Sequence, residues 1–256
     1  MRFLIPLFFL VLGFTALADN TDNMIPGGGF EAPAIKARTA KDDGGDPSNG
    51  GRGPEWIGFA IHTSGTNGAI TGGLTNEVAR TGTQSLFIHF DHVNGAYQAA
   101  VLTSNFIPVA SGTEYEVGIW GRTDAKAPID ANGRSAYLKV EVDYFAKDAN
   151  ESVGETSYAV QPLPGSRNHD PFFKPDAWNS FHVVVTTPPE AVFAQIIWRW
   201  ETGSDPGETN GTMYFDDATM TGPAPKNPHL TPEAVQEETP APETTGTEAA
   251  TPAPAQ

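Results

Sequence analysis

The chain has 256 residues, no cysteine, and 15 basic against 31 acidic residues, for a formal net charge of −16. The missing thiols exclude disulfide stapling, thiolate metal sites and lipid attachment through cysteine. The acidic balance repels nucleic acid and anionic lipid, so partners of those classes are not expected.

Residues 1–18 read as a secretory signal peptide. Arg2 gives a positive start, Phe3 to Phe14 an apolar stretch, and Ala16-Leu17-Ala18 a small-residue cleavage signal. The expected location is secreted or periplasmic. No other stretch is long and apolar enough to span a membrane. The segment from 223 to 256 is rich in Pro, Thr, Glu and Ala and holds no Phe, Trp or Tyr. It cannot bury enough apolar surface to offset its ordering entropy and is expected to be disordered. A tail of this kind could tether the domain to an envelope or matrix surface. One domain is therefore expected over 19–222.

Within that domain, period-2 segments bounded by turn residues recur, and long helical periodicity does not. Near the start stands Gly28-Gly29-Phe30-Glu31, followed by a Gly- and Asp-rich stretch over 36–53 that reads as a loop. Ser85 to Phe90 puts Leu86, Ile88 and Phe90 on one face. Tyr115 to Trp120 follows the turn Ser111-Gly112-Thr113, with Tyr115, Val117 and Ile119 inward. Leu138 to Tyr144 alternates apolar with charged positions. The stretch 146–176 reads as a second long insertion that carries a loop over one edge. Phe181 to Val185 and Ala194 to Trp200 supply two more strands, and Tyr214-Phe215-Asp216-Asp217 closes the series. The pattern predicts an all-β fold, a jelly-roll β-sandwich of two antiparallel sheets.

Alternation nominates a polar face. On the strand from Tyr115, residues Glu116, Trp120 and Arg122 lie opposite the core. Tyr137, Lys139, Glu141 and Asp143 lie opposite Leu138, Val140 and Val142. Gln195, Ile197, Arg199 and Glu201 lie opposite Trp198 and Trp200, for which core is the default. If these polar faces line one concave sheet, Trp120, Arg122, Tyr137, Glu141 and Arg199 form a ligand-binding site with Trp120 as its stacking ring. Aromatic rings beside fixed hydrogen-bonding groups suit sugar binding. Trp56 follows the glycine loop as a candidate platform, and Trp178 sits at a strand entry, where packing is the simpler role. Parity puts Asp216 and Asp217 on opposite faces, so one of them at most could point at an ion.

Enzyme chemistry finds little support. Glu141-Val142-Asp143 lacks the further Glu that a glucanase strand motif needs, since Phe145 and Ala146 stand there. Glu116, Glu141 and Glu201 could pair as glycosidase carboxylates, but solvated acids on a strand face are the plainer reading. His89 and His92 read as surface residues rather than zinc ligands. No nucleophile-elbow or phosphate-loop motif is present.

Several stretches taken in order resemble a known family. They are Asn23 to Glu31, Trp56, Thr81-Gly82-Thr83-Gln84-Ser85-Leu86, Ile107 to Tyr115, Trp120, Trp178, Pro188-Pro189 and Tyr214 to Ala218. The chain resembles the carbohydrate-binding modules of the cellulose- and xylan-binding jelly-roll group, CenC-like, within the galactose-binding-domain-like superfamily. That resemblance implies non-catalytic binding of a neutral polysaccharide such as β-glucan or xylan. It also implies a structural calcium held by Glu31, Asp217 and backbone around Thr81 and Gly82, a donor mixture that suits Ca2+. Two alternatives stay open: a glycoside hydrolase-like sandwich, or a structural or adhesive envelope domain without a sugar ligand.

Overall fold

A computed structural model describes residues 23–25, 27–31, 38–39, 56–63, 66–95, 98–146, 152–167 and 172–225. Residues 1–18, expected to be a signal peptide, and almost all of the tail, from 226 onward, lie outside the described residues. The strands, in chain order, are β1 (Arg38–Thr39), β2 (Trp56–Thr63), β3 (Thr66–Thr75), β4 (Ser85–Gly95), β5 (Gln98–Ser104) and β6 (Ile107–Pro108). They continue with β7 (Glu114–Thr123), β8 (Ala136–Phe145), β9 (Ser152–Pro162), β10 (Asn179–Thr186), β11 (Phe193–Thr202) and β12 (Thr209–Thr221). They form two antiparallel sheets. The first runs β1-β3-β4-β12-β7-β10 and the second β2-β5-β11-β8-β9, with β6 beside β11. The all-β sandwich expected from the alternation is what the chain forms, and among the described residues no helix is long and apolar enough to cross a membrane.

The core lies between the sheets. Leu86, Ile88 and Phe90 of β4, Val117 and Ile119 of β7, and Met213, Phe215 and Met220 of β12 face Leu138, Val140 and Val142 of β8 and Ile196, Trp198 and Trp200 of β11. Trp198 and Trp200 are fully buried, which settles them as core. Trp200 packs on Phe215 at a ring distance of 4.7 Å, and Phe173 meets Phe215 edge-on at 5.9 Å. Gly121 makes room for this cluster: a β-carbon there would stand 2.7 Å from Phe173 and 2.8 Å from Phe215.

One buried charge was not visible in the strand pattern. Arg134, just before β8, is fully buried. It donates to the carbonyls of Val93, Gly95 and Gly203, each at 2.9 Å. It thus ties the end of β4 to the turn after β11, giving three backbone carbonyls a charged donor.

Two expectations need correction. The insertion 146–176 does more than carry a loop, because β9 occupies 152–162 and extends the second sheet beyond β8. Its outward residues include Tyr158 and Val160, so its apolar signal faces solvent rather than the core, and alternation misreads it. Trp56 lies at the start of β2, opposite Ser104 of β5, rather than in a loop.

Candidate functional site

The five residues expected on one face are divided between two. Trp120 and Arg122 belong to β7 and the first sheet, whereas Tyr137, Glu141 and Arg199 belong to β8 and β11 of the second. Every one points outward as alternation predicts. A single strand's parity says which residues leave the core but not which sheet the strand joins, so the single concave site does not exist as drawn.

The outer face of the second sheet keeps three of the five together. Register sets its residues in rows. Tyr158 of β9 stands beside Glu141, which stands beside Ile197. The next row runs Val160, Lys139, Arg199 and Val101, and the next Pro162, Tyr137, Glu201 and Ala99. Glu141 lies between two cations: Lys139 Nζ is 3.0 Å and Arg199 Nε 3.1 Å from its Oε2. Burial pushes its pKa up, but the Lys139 hydrogen bond and the two positive charges outweigh that and hold it below the ordinary carboxylate value. The Lys139 ammonium also lies 5.5 Å from the Tyr158 ring centre. Tyr158 is 69% exposed and Val160 47%, the exposed large apolar side chains of this face among the described residues. Ala99, Val101 and Ile197 form a small apolar floor beside them. Tyr137 is half-buried, and its phenol pKa is raised by burial and then by the Glu201 charge. The face therefore offers rings, an apolar floor, and donors and acceptors fixed by ion pairs. That combination can stack on the C–H face of a sugar and hydrogen-bond its hydroxyls. Sequence reasoning found Tyr137, Glu141 and Arg199 and missed Tyr158 and Val160, because no strand was expected within the 146–176 insertion.

Trp120 has a different setting. The Arg80 guanidinium stacks 3.8 Å from its ring centre, so one face of the indole is already covered. Trp120 pairs in register with Asp216, which is fully buried. Burial pushes the Asp216 pKa up to about 6, against the pull of donors from the 80–81 backbone. Arg122 is likewise engaged, bonding Asp176 at 2.7 Å and lying 5.8 Å from the Trp178 ring.

The four residues expected around calcium do converge. The first segment pairs with β12 through Met24 N–H to Met220 O and Ala218 N–H to Gly28 O, both 2.8 Å. This brings Glu31 and Asp217 to the turn over 80–84. Asp217 carries φ +46° at a register shift in β12 between 216 and 219. The bulge overturns the simple parity, and both carboxylates address the same turn. Asp216 Oδ2 accepts from Arg80 N–H at 2.7 Å and Thr81 N–H at 3.2 Å. Asp217 accepts from the Thr81 hydroxyl at 2.6 Å and pairs with the Arg80 guanidinium. Glu31 accepts from Thr83 N–H at 2.9 Å and Gln84 N–H at 3.2 Å, and these bonds lower its pKa. Gly82, at φ +60°, leaves the space Glu31 fills, since a β-carbon there would lie 2.0 Å from its Oε1. The oxygens are of the kind calcium takes. Here they are spent on N–H, O–H and guanidinium donors, and among the described residues no three acid or histidine side chains group as a metal site. A calcium ion at Asp217 would have to displace Arg80.

No family model and no curated protein matches this chain. Among solved structures it is similar to the enzymatically active domain of bacteriophage CBA120 tailspike protein 4, at 15% identity and TM-score 0.42 over 77% of this chain. It spans only 21% of that tailspike chain. It is similar to TmCBM61 in complex with β-1,4-galactotriose at 12% identity and TM-score 0.41, over 79% of this chain and 99% of that one. The CBM22-1 xylan-binding domain from Paenibacillus barcinonensis Xyn10C gives 14% identity and TM-score 0.34, over 75% and 96%. At such identities and scores no residue correspondence follows, and the sites of those proteins are not transferred to this chain.

Proposed function

We propose that this chain is an exported, non-catalytic carbohydrate-binding domain that recognises a neutral polysaccharide such as a β-glucan or xylan. The binding surface is the outer face of the second sheet. The observation that carries the reading is the row Tyr158–Glu141–Ile197, set against Lys139 and Arg199: an exposed ring beside a carboxylate clamped by two cations. The motif resemblance noted in the sequence supports the same class. Among the described residues, neither Glu116 nor Glu201, the strand-face glutamates that could partner Glu141, stands at glycosidase spacing from it, which favours binding over cleavage. Glu116 sits on the first sheet, and Glu201 lies four residues beyond the partner of Glu141 on β11. That offset is about 13 Å of strand at the usual rise, outside the roughly 5–10 Å range such enzymes use. Export rests on the signal peptide, and the acidic tail is the part that would reach an envelope or matrix surface.

The reading is tested by retardation of the chain in gels carrying soluble glucans, xylans and galactans, alongside a reducing-sugar release assay. Retardation without release is expected, and Tyr158→Ala should weaken it. Release of sugar would make the protein an enzyme, and neither result over a broad panel would favour a structural envelope domain. At the junction of the chain ends, we propose that Ca2+ binds Glu31, Asp217 and the Thr81–Gly82 carbonyls in competition with Arg80.

A further inference from the structure

The outer face of the first sheet holds a groove that the proposed glycan surface does not use. Its two parts, about 280 Å³ and 620 Å³, share Glu77, Thr212 and Tyr214 and so run into one another. Register builds the floor. Thr71, His89 and Thr212 stand in one cross-strand row, and Gly73, Phe87, Tyr214 and Arg122 in the next. Gly73 has no side chain, which leaves the flank of the Phe87 ring open.

The groups around that ring are fixed and mixed in kind. His89 Nδ1 is 2.9 Å from the Thr212 hydroxyl, so Nε2 is the ring nitrogen left for a ligand. The Tyr214 hydroxyl donates to Asp124 Oδ2 at 2.9 Å, and Asp124 Oδ1 is held by the Lys126 and Ala127 N–H groups at 2.7 Å. Arg122 Nε–H is buried with no acceptor among the described residues, a donor whose burial is costly until something accepts from it. The charged groups of the lining, Glu77 and Asp124 against Arg122 and Lys126, cancel, and Asp176 pairs Arg122 from outside. With Asp176 counted, acids outnumber bases by one around the groove, so no positive excess is left to select an anion. One half-buried ring, several hydroxyls and a balanced set of donors and acceptors suit a small neutral polyol.

We propose that this groove is a second saccharide site, taking one or two units of a neutral sugar, on the opposite side of the sandwich from the polysaccharide surface. The domain then holds two glycan segments at once, and its grip on an insoluble or branched glycan rises through effective concentration rather than through stronger contacts at either face.

Backbone amide NMR of the 15N-labelled full chain, titrated with xylobiose, cellobiose and β-1,4-galactobiose to about 50 mM, tests both surfaces separately, since sites this shallow bind near the millimolar range. Saturable shifts are expected at Thr71, His89 and Thr212 with at least one disaccharide. Glu77→Gln and His89→Ala should each weaken that titration about fivefold or more while shifts around Tyr158 keep their curve. No saturable shift in the groove with any of the three sugars overturns the second site, whatever happens at Tyr158. A groove titration that both variants leave unchanged overturns it too. Groove shifts without shifts at Tyr158 would keep this site and remove the polysaccharide surface instead. Glu77 is exposed, so its variant reads out even if His89→Ala disturbs β4.

Discussion

The two outer faces of the sandwich are built from the same alternation but are finished differently. On the second sheet one ring stands open: Tyr158 is 69% exposed beside the partly buried Lys139–Glu141–Arg199 cluster. On the first sheet, the turn over 80–84 folds across the strand ends, Arg80 caps Trp120, and Asp216 disappears beneath it. An aromatic side chain on a polar strand face is thus available or spent according to what the neighbouring loop does. Trp120, the more conspicuous ring in the sequence, is in large part structural, whereas Tyr158, the less conspicuous one, is open.

The contrast can be broken at its base. Trp200→Ala removes a fully buried ring packed on Phe215, which joins the two sheets. It should cost about 3–5 kcal/mol and degrade both faces together in a denaturant melt. If one face keeps its binding while the other fails, the sheets do not share one core. Arg134→Met comes next. It strands three carbonyls and should lower stability by roughly 2–4 kcal/mol, without touching either binding surface.

Exchanging the two rings sharpens the comparison. Trp120→Ala should cost about 1–2 kcal/mol through the lost Arg80 stack and leave polysaccharide retardation intact. Tyr158→Ala should leave the melting temperature within about 2 °C, because so exposed a ring contributes little burial, and weaken glycan binding about tenfold. The reverse outcome would return the binding site to the first sheet.

The latch at the chain ends gives a smaller effect. Calcium should raise the melting temperature of Arg80→Ala more than that of the wild-type chain, since the guanidinium no longer competes for Asp217. Identical melts with calcium and with chelator, in both proteins, would remove calcium from this junction. Smallest is the pH response of the open face. Glu141 titrates below its ordinary value, so its ion pairs contribute above the unfolded carboxylate pKa and are lost as pH falls through the lower folded one. Ion pairs that keep this much contact with solvent are worth about 1 kcal/mol. Glycan affinity should hold from pH 7 to about pH 5 and decline below about pH 4, and Glu141→Gln should flatten that decline.

Composition and alternation were enough to specify an all-β sandwich, because burial of every second side chain is a local property of the chain. The inward and outward assignments on β7, β8 and β11 held residue by residue for that reason, and so did the burial of Trp198 and Trp200. The meeting of Glu31 with Asp217 was legible from motifs at the two ends. Tertiary structure alone decided the rest. Sheet membership comes from long-range pairing, so Trp120 and Glu141 could share a polar pattern and still stand on opposite sides. The bulge at Asp217 reset a parity that a regular strand would have kept. The strand carrying Tyr158 turns its apolar side to solvent, against the rule that finds strands, and Arg134 is buried because three distant carbonyls converge on it. Each depends on contacts between residues far apart in the chain, which a local pattern does not carry.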